Sequence, residues 1–492
     1  MDFAYKSMIK ISGILIFLTG IFMLPCMIYA FILKDTNCFF PFTVSGGFSV
    51  CLGGLLFCLT KKAPSYLNIR NAHLIVFLGW LICSIIGAFP YYLSYSSIHF
   101  IDAFFESVAG YTTTGISSIC ESAMPKSLLL WKALSHWIGA TGILVFIVTI
   151  LPIVGSGRRQ ISITESPEIN LSHNIPKPKR LAAYIYIIYS IMTIAETFLL
   201  SIGSDMNIFE SVITSLGSVS TAAIMIHPDG LSYYNSDFVN TTVSVFTILA
   251  SLNFLVFIFI AKNGLREFIK NVETRVFLGL IFIGSILVSI NLFASDICSS
   301  FGEALKIGSA QTISFMTTSG FAFTDYVTWP TFSKMLMFIM LFIGGCLAST
   351  SGSIKVMRII IMLKLIKRDF FKKLHPRSIQ NIKVSTYNVS TRTVSSITSF
   401  VFLYMGTFLF GVVIISTSGL DLETVISTTA SLLSTTGAAF GKVGWTGDYS
   451  IFSPGIKIFM SLLMLIGRLE LFSAIMVFFP SFWNPNKANT LA

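Results

Sequence analysis

The sequence predicts an all-α integral membrane protein: a two-helix hairpin, then four pseudo-repeats of helix, pore half-helix, filter strand and helix set around a central pore. Three observations predict it. The 492 residues are 54% hydrophobic and only 11% charged, with a mean hydropathy of +0.80, far from the balance of a water-soluble domain. Apolar stretches of about 20 residues, each long enough to cross a hydrocarbon layer of roughly 30 Å, recur along the whole chain. Between them lie apolar segments too short to cross, each running into hydroxyl residues and, in three of the four, a glycine.

In chain order, the first two spans, at about 11–33 and 39–60, form the hairpin; the first holds Pro25 and lacks a small-residue cleavage site, so it reads as a retained helix. A different unit then begins, with spans at about 72–94 and 128–153 around a short segment at 101–112 and the run Ala109-Gly110-Tyr111-Thr112-Thr113-Thr114-Gly115-Ile116. The second unit has spans at about 181–202 and 238–261 around a dip at 208–216. The third has 275–293 and 333–366 around 305–316, and the fourth has 393–417 and 455–480 around 422–433. A segment that enters and returns is tolerated only where its irregular backbone lines a cavity buried in protein. Four such units fit a ring around one pore. The resulting bounds are an accessory hairpin at 1–65 and repeats at 66–160, 161–265, 266–380 and 381–492. The tetrapeptides Phe105-Glu106-Ser107-Val108 and Phe209-Glu210-Ser211-Val212 open the first two dips and suggest duplication.

The net charge of +11 is topological rather than a nucleic-acid footprint, because lysine and arginine occupy alternate loops. Lys61, Lys62 and Arg70 follow the second span, Arg158, Arg159, Lys177, Lys179 and Arg180 the fourth, and Lys262, Arg266, Lys270 and Arg275 the sixth. Lys364, Lys367, Arg368, Lys372, Lys373, Arg377, Lys383 and Arg392 follow the eighth, whereas Asp35, Glu121, Asp205, Asp229, Asp237, Asp296, Asp325 and Asp448 mark the intervening loops. By the positive-inside rule the basic loops and both termini are cytoplasmic. Cys26, Cys51, Cys58, Cys83 and Cys346 read as small hydrophobes, and a disulfide among Cys38, Cys120 and Cys298 stays open. His136, His173 and His227 stand without ligand spacing, and the sequence offers no nucleophile triad, phosphate loop or clustered intramembrane acids of a polytopic enzyme.

Hydroxyl residues closing on glycine suit a potassium filter, in which carbonyls and threonine hydroxyls replace the hydration shell of the ion. Met316-Thr317-Thr318-Ser319-Gly320-Phe321 and Ser434-Thr435-Thr436-Gly437-Ala438 repeat the first run. Glycines and hydroxyls from Gly344 to Ser353 interrupt the long span of the third unit, either as a gate or as a packing kink. Arg468 lies deep in the last span and needs a wet cavity or a partner, and Glu470, two positions on, faces elsewhere. Glu106 and Glu210 are expected at half-helix N-termini, complementing the dipole. Glu196 is either a buried interhelical contact or a pore-adjacent charge.

With these motifs stand Trp137-Ile138-Gly139-Ala140-Thr141-Gly142-Ile143-Leu144 running on to Leu151-Pro152, Gly344-Gly345-Cys346-Leu347-Ala348-Ser349-Thr350-Ser351-Gly352-Ser353-Ile354-Lys355, and Leu465-Ile466-Gly467-Arg468-Leu469-Glu470. Over nearly its whole length the chain resembles the Trk/Ktr/HKT superfamily of cation transporters, and within it the TrkH-type membrane subunit of bacterial potassium uptake systems. The resemblance implies K+ as the transported ion, bound only at the filter, with no covalent cofactor. The implied filter positions are Thr113, Thr114 and Gly115, then Thr318, Ser319 and Gly320, and Thr435, Thr436 and Gly437. The second strand departs: matching its Phe-Glu-Ser-Val to the first gives Ser218, Val219 and Ser220, with Val219 in the glycine place, while a slipped register offers Ser220-Thr221-Ala222-Ala223. A gate is implied at Gly344, Gly345, Ser349, Thr350 and Gly352, stiffened by Ser351 and Ser353, with Arg468 as a barrier below the filter. Also implied are an inner-membrane location, a homodimer, and a cytoplasmic nucleotide-binding regulatory subunit of the TrkA type docking on Arg158 to Arg180 and Lys364 to Arg392. The function expected is potassium uptake; a sodium-permeable pore of the same fold and a non-conducting subunit remain alternatives.

Overall fold

The computed structural model describes residues 5–63, 69–95, 97–150, 178–378, 380–384, 387–445 and 447–483. Arg158, Arg159, Lys177, His173 and the Leu151-Pro152 pair therefore lie outside the described residues. Within them the chain is almost wholly helical, save for a two-stranded hairpin pairing Lys383–Val384 with Tyr387–Asn388.

The accessory hairpin runs Tyr5–Phe22, Leu24–Ile32 and Thr36–Thr60, its first arm broken just before Pro25. Each of the four units that follow has a leading helix, a half-helix, a short irregular strand outside regular secondary structure and a trailing helix. The leading helices are Ile69–Ser94, Pro178–Gly203, Val272–Ala294 and Thr391–Ser416. The half-helices are Phe100–Tyr111, Ile208–Val219, Phe301–Met316 and Leu422–Ser434, of 12, 12, 16 and 13 residues. Three of them start on side-chain caps: Asn207 accepts from Glu210 N–H, Ser300 from Glu303 N–H and Asp421 from Thr424 N–H. Lipid-facing stripes remain on the leading helices, as at Ile194, Phe198 and Ile202 or Phe402, Leu409 and Val413.

The trailing helix of unit one is Lys126–Ile150. The other trailing elements differ from the uninterrupted spans read in the sequence. Six helices among the described residues are long and apolar enough to cross a membrane, and the trailing helices of units two, three and four are broken or short. In unit two, Asp237–Ser251 and Phe254–Asn263 meet at 87°, because Asn253 caps the second piece through Leu255 N–H and the freed Ala250 and Ser251 carbonyls accept from Thr350 and Cys346 N–H. Unit three is interrupted between Thr331–Ile343 and Val356–Leu374, where an interruption was expected. In unit four the helix Pro454–Arg468 ends where the sequence reading continued to about 480, because Glu470 and Leu471 take left-handed φ of 53° and 57° and turn the chain into the short helix Phe472–Ile475. All eight cysteines are free thiols.

In units one and four the trailing helix crosses the half-helix at a glycine. A Cβ on Gly139 would lie 2.0 Å from Tyr111 O, and one on Gly467 2.2 Å from Leu433 O. The two contacts occupy corresponding places and fix how units one and four superpose. Gly139→Val and Gly467→Val are each expected to destabilise the fold by about 1–3 kcal/mol or more through overpacking against backbone, read as a lowered melting temperature of the purified protein in detergent.

Candidate functional site

Each half-helix ends in the same hydrogen-bonded turn. Thr114 N–H donates to Ala109 O, Ala222 to Gly217 O, Ser319 to Ser314 O and Thr436 to Ser431 O, at 2.9–3.0 Å. This six-to-one bond marks a Schellman cap, whose left-handed residue is usually glycine. Here it is threonine four times: Thr113, Thr221, Thr318 and Thr435, with φ of 54°, 53°, 56° and 53°. A β-branched residue in that region costs roughly 1–2 kcal/mol. Four repetitions of one strained choice single out these threonines, three of which, Thr113, Thr318 and Thr435, the sequence had already marked.

Beyond these caps the four strands close a ring. A Cβ on Gly115 would meet Ala223 N and O at 2.9 Å, one on Gly320 would meet Thr436 O at 2.1 Å, and one on Gly437 would meet Thr114 O at 2.2 Å. Ala223 N–H donates to Ser319 O at 2.7 Å, joining the second and third strands. All four half-helices thus aim their C-terminal carbonyls, each end equivalent to about half a negative charge, at one locus.

The shared cap corrects the register of the second strand. Thr221, Ala222 and Ala223 correspond to Thr113, Thr114 and Gly115, as the slipped alternative had it. Of the second-strand residues implied by the tetrapeptide match, Ser218 and Val219 lie within the half-helix and Ser220 is its cap. Val219 is buried in an apolar cluster with Tyr189 and Phe254, and the Ser218 hydroxyl donates to Glu196. The matching tetrapeptides are one helical turn out of step. Glu210 closes a capping box at its helix start, as expected of it, whereas Glu106 sits mid-helix, fully buried. Gly115, Gly320 and Gly437 have φ of 65°, 72° and 87°, and Ala223 alone of the four stays outside the left-handed region. The alanine is accommodated by a different backbone path. Glu196 is a buried contact between the leading helix and half-helix of unit two.

Directly against the inner edge of the ring lies the interruption of unit three. Gly352 N–H donates to Thr318 Oγ1 at 2.9 Å, Ser351 Oγ donates to Thr317 O at 2.8 Å, and the Thr221 hydroxyl donates to Thr350 Oγ1 at 3.3 Å. A Cβ on Gly352 would lie 2.0 Å from Ser434 O, so only glycine fits there. Ser349 Oγ donates to Cys346 O at 2.5 Å, and Gly344 opens the loop at φ 72°. A Cβ on Gly345 would meet the Ser351 side chain. Among the described residues the Thr113 and Thr435 hydroxyls are buried without a hydrogen bond, so the loop bonds the second and third threonines and only packs, through Gly352, against the fourth.

Arg468 holds the loop from below, donating to Thr350 O at 2.8 Å and, from its other nitrogen, to Gly139 O at 3.2 Å. Its side chain thereby ties units one, three and four. Glu470 pairs instead with Arg358, which also stacks 4.1 Å over the Phe400 ring. Sequence reasoning missed further members of the site. Glu273 accepts from Leu347 N–H at 2.7 Å, His136 Nδ1 lies 3.3 Å from Ala222 O, and Lys132 joins Glu106 and Glu121. Isolated polar residues in apolar helices were their only signal. His227 stacks on Tyr233 at the outer end of the second strand.

Ser218→Ala should lower stability by about 1–3 kcal/mol, since it strips a partner from a buried carboxylate. Val219→Gly should lower it by a similar roughly 1–3 kcal/mol by opening an apolar cavity. Both are read by thermal melting, and a Val219→Gly protein as stable as native would contradict its placement.

The family model described as TrkH, "Cation transport protein", matches residues 40–485. The Trk system potassium uptake protein TrkG of Escherichia coli (strain K12) is 30% identical over 479 residues, covering 96% of this chain and 97% of that protein. TrkH of the same strain is 28% identical over 485 residues, covering 97% and 99%. Among solved structures, the potassium transporter TrkH from Vibrio parahaemolyticus superposes with a TM-score of 0.88 at 27% identity, covering 98% of this chain and 100% of that one.

Proposed function

The chain belongs to the TrkH family of cation transport proteins, and from that premise we propose that it takes up potassium through the ring of four strands, gated by the intramembrane loop and Arg468. The observation that carries this reading is the closed ring itself: four strained threonine caps, with strand backbones in contact at Gly115, Gly320 and Gly437. An ion on this axis would meet carbonyls and hydroxyls in place of water, with four half-helix C-termini stabilising its charge. Thr113, Thr114, Gly115, Thr221, Ala222, Ala223, Thr318, Ser319, Gly320, Thr435, Thr436 and Gly437 are the residues proposed to line it. Gly344, Gly345, Ser349, Thr350 and Gly352 form the loop that must move, and the Arg468 guanidinium, bonded to Thr350 O, keeps a positive charge beneath the ring until it does.

The accessory hairpin and four units are proposed as the functional division, with both termini cytoplasmic in the bacterial inner membrane. The chain is proposed to act as a homodimer with a nucleotide-binding regulatory subunit. On the basic stretch from Lys364 to Arg377, Lys367, Lys372, Lys373 and Arg377 are exposed for such docking. One observation favours a second reading, a pore of the same fold with weak potassium-over-sodium preference. Ala223 departs from the glycine path, and its N–H occupies Ser319 O, a carbonyl of the proposed ring.

Growth at low potassium in an uptake-deficient bacterial strain tests both. The native chain should rescue growth and Gly115→Ser should abolish it, because a side chain at φ 65° with Ala223 N and O at 2.9 Å cannot be seated. Ala223→Gly should sharpen discrimination against sodium if the second reading holds and leave it unchanged if the first does. Arg468→Gln should raise uptake in the absence of a regulatory subunit. Failure of the native chain to move either ion while resident in the membrane would leave a non-conducting subunit.

A further inference from the structure

Three ionisable side chains at the outer end of the ring have no part in the pathway just described. Lys132 Nζ lies 2.9 Å from Glu106 Oε2 and 2.5 Å from Glu121 Oε1, with side chains 0%, 0% and 6% exposed. Lys132 also donates to Ile116 O at 2.8 Å, one residue beyond Gly115. Glu106 Oε1 accepts from Ser117 Oγ at 2.6 Å, Ser118 N–H at 2.5 Å and Ile119 N–H at 3.1 Å. Glu121 Oε2 accepts from Met225 N–H, two residues beyond Ala223. The cluster therefore grips the outgoing ends of the first and second strands together. Two carboxylates against one ammonium leave one formal negative charge.

Bracing alone does not require charge, as the other units demonstrate. Gln311 stands as far before Thr318 as Glu106 does before Thr113, and it braces its own strand in the same way, accepting from Phe323 N–H at 3.2 Å and donating to Phe321 O at 3.3 Å. In unit four the Ser427 hydroxyl accepts from Phe440 N–H at 3.0 Å. The superposition set by Gly139 and Gly467 puts Met460, fully buried, where unit one has Lys132. Neutral side chains thus serve in two units, whereas unit one buries three charges against a large desolvation cost. The uncompensated charge is what the neutral arrangements lack.

We infer that the Glu106–Lys132–Glu121 cluster is an affinity-setting element of the ion pathway. Its surplus negative charge, buried behind the outer end of the ring where salt screens it poorly, deepens the binding well for a cation. Lys132 keeps the two carboxylates together and the first strand in place. The inference rests on the filter reading above.

The test is rubidium and potassium uptake kinetics of the full chain in an uptake-deficient bacterial strain. Glu106→Gln and Glu121→Gln remove one charge each and keep one acceptor oxygen for the strand N–H groups, while the other oxygen, which faces Lys132, becomes an NH2 donor. Each is expected to raise KM about ten-fold, as for one charge roughly 10–15 Å from the ion at an effective dielectric near 20, with maximal rate held within about two-fold. Glu106→Asp, which keeps the charge, should stay near the native KM. A native KM in both carboxamide variants, or a Glu106→Asp variant as impaired as Glu106→Gln, overturns the inference in favour of a brace. Should Glu106→Gln fail to accumulate in the membrane, Glu121→Gln, at the rim of the cluster, decides by the same criterion. Gly115→Ser separates the two levels: uptake surviving that substitution sinks the filter reading itself. Its loss beside unchanged KM in the carboxamide variants removes only the cluster's role.

Discussion

In a hydrocarbon interior a backbone N–H or C=O without a partner costs several kcal/mol, and the whole centre of this protein is arranged around that requirement. Four helices stop halfway and leave their last carbonyls exposed to one another. The trailing helix of unit two bends at Leu252, which frees Ala250 and Ser251 carbonyls, and the loop of unit three supplies the Thr350 and Cys346 N–H groups that satisfy them. That loop in turn offers Gly352 N–H to Thr318 and receives Arg468 at Thr350 O. Each break is tolerated because another break answers it.

Pseudo-symmetry governs the backbone more strictly than the side chains. The threonine caps agree within a few degrees of φ, yet what lies behind each strand differs: an ion-paired carboxylate in unit one, a glutamine in unit three, a serine in unit four. The second strand differs most, with alanine where the others need glycine and its N–H turned onto Ser319. Inner and outer faces of the ring are unlike as well. A cationic guanidinium lies below it, and a cluster with surplus carboxylate lies above. The cation route would thus run from a site of attraction toward a site of repulsion that the loop and Arg468 hold in place.

Much of this was legible in the residues. Length and apolarity of the leading helices and the glycine-rich interruption after Ile343 carry local signals that no tertiary contact is needed to read. Three of the four strands of the ring were legible for the same reason, because glycine after hydroxyls is itself the signal. The second strand was not, since Phe209-Glu210-Ser211-Val212 matches Phe105-Glu106-Ser107-Val108 in letters while one glutamate caps a helix and the other is buried opposite a lysine. Identical tetrapeptides do not report which turn of a helix they occupy.

What the sequence determined by itself is the class of molecule: apolar periodicity and alternate basic loops admit a membrane bundle of repeated units and little else, because hydrocarbon leaves the backbone so few choices. What only the tertiary structure decided is register and partnership. The Schellman hydrogen bonds set Ala223 rather than Val219 opposite Gly115, Glu470 faces Arg358 rather than Arg468, and Lys132 finds carboxylates from two segments. These pairings join residues distant in the chain, and no local propensity encodes a distance that only the closing of the ring brings within hydrogen-bond reach.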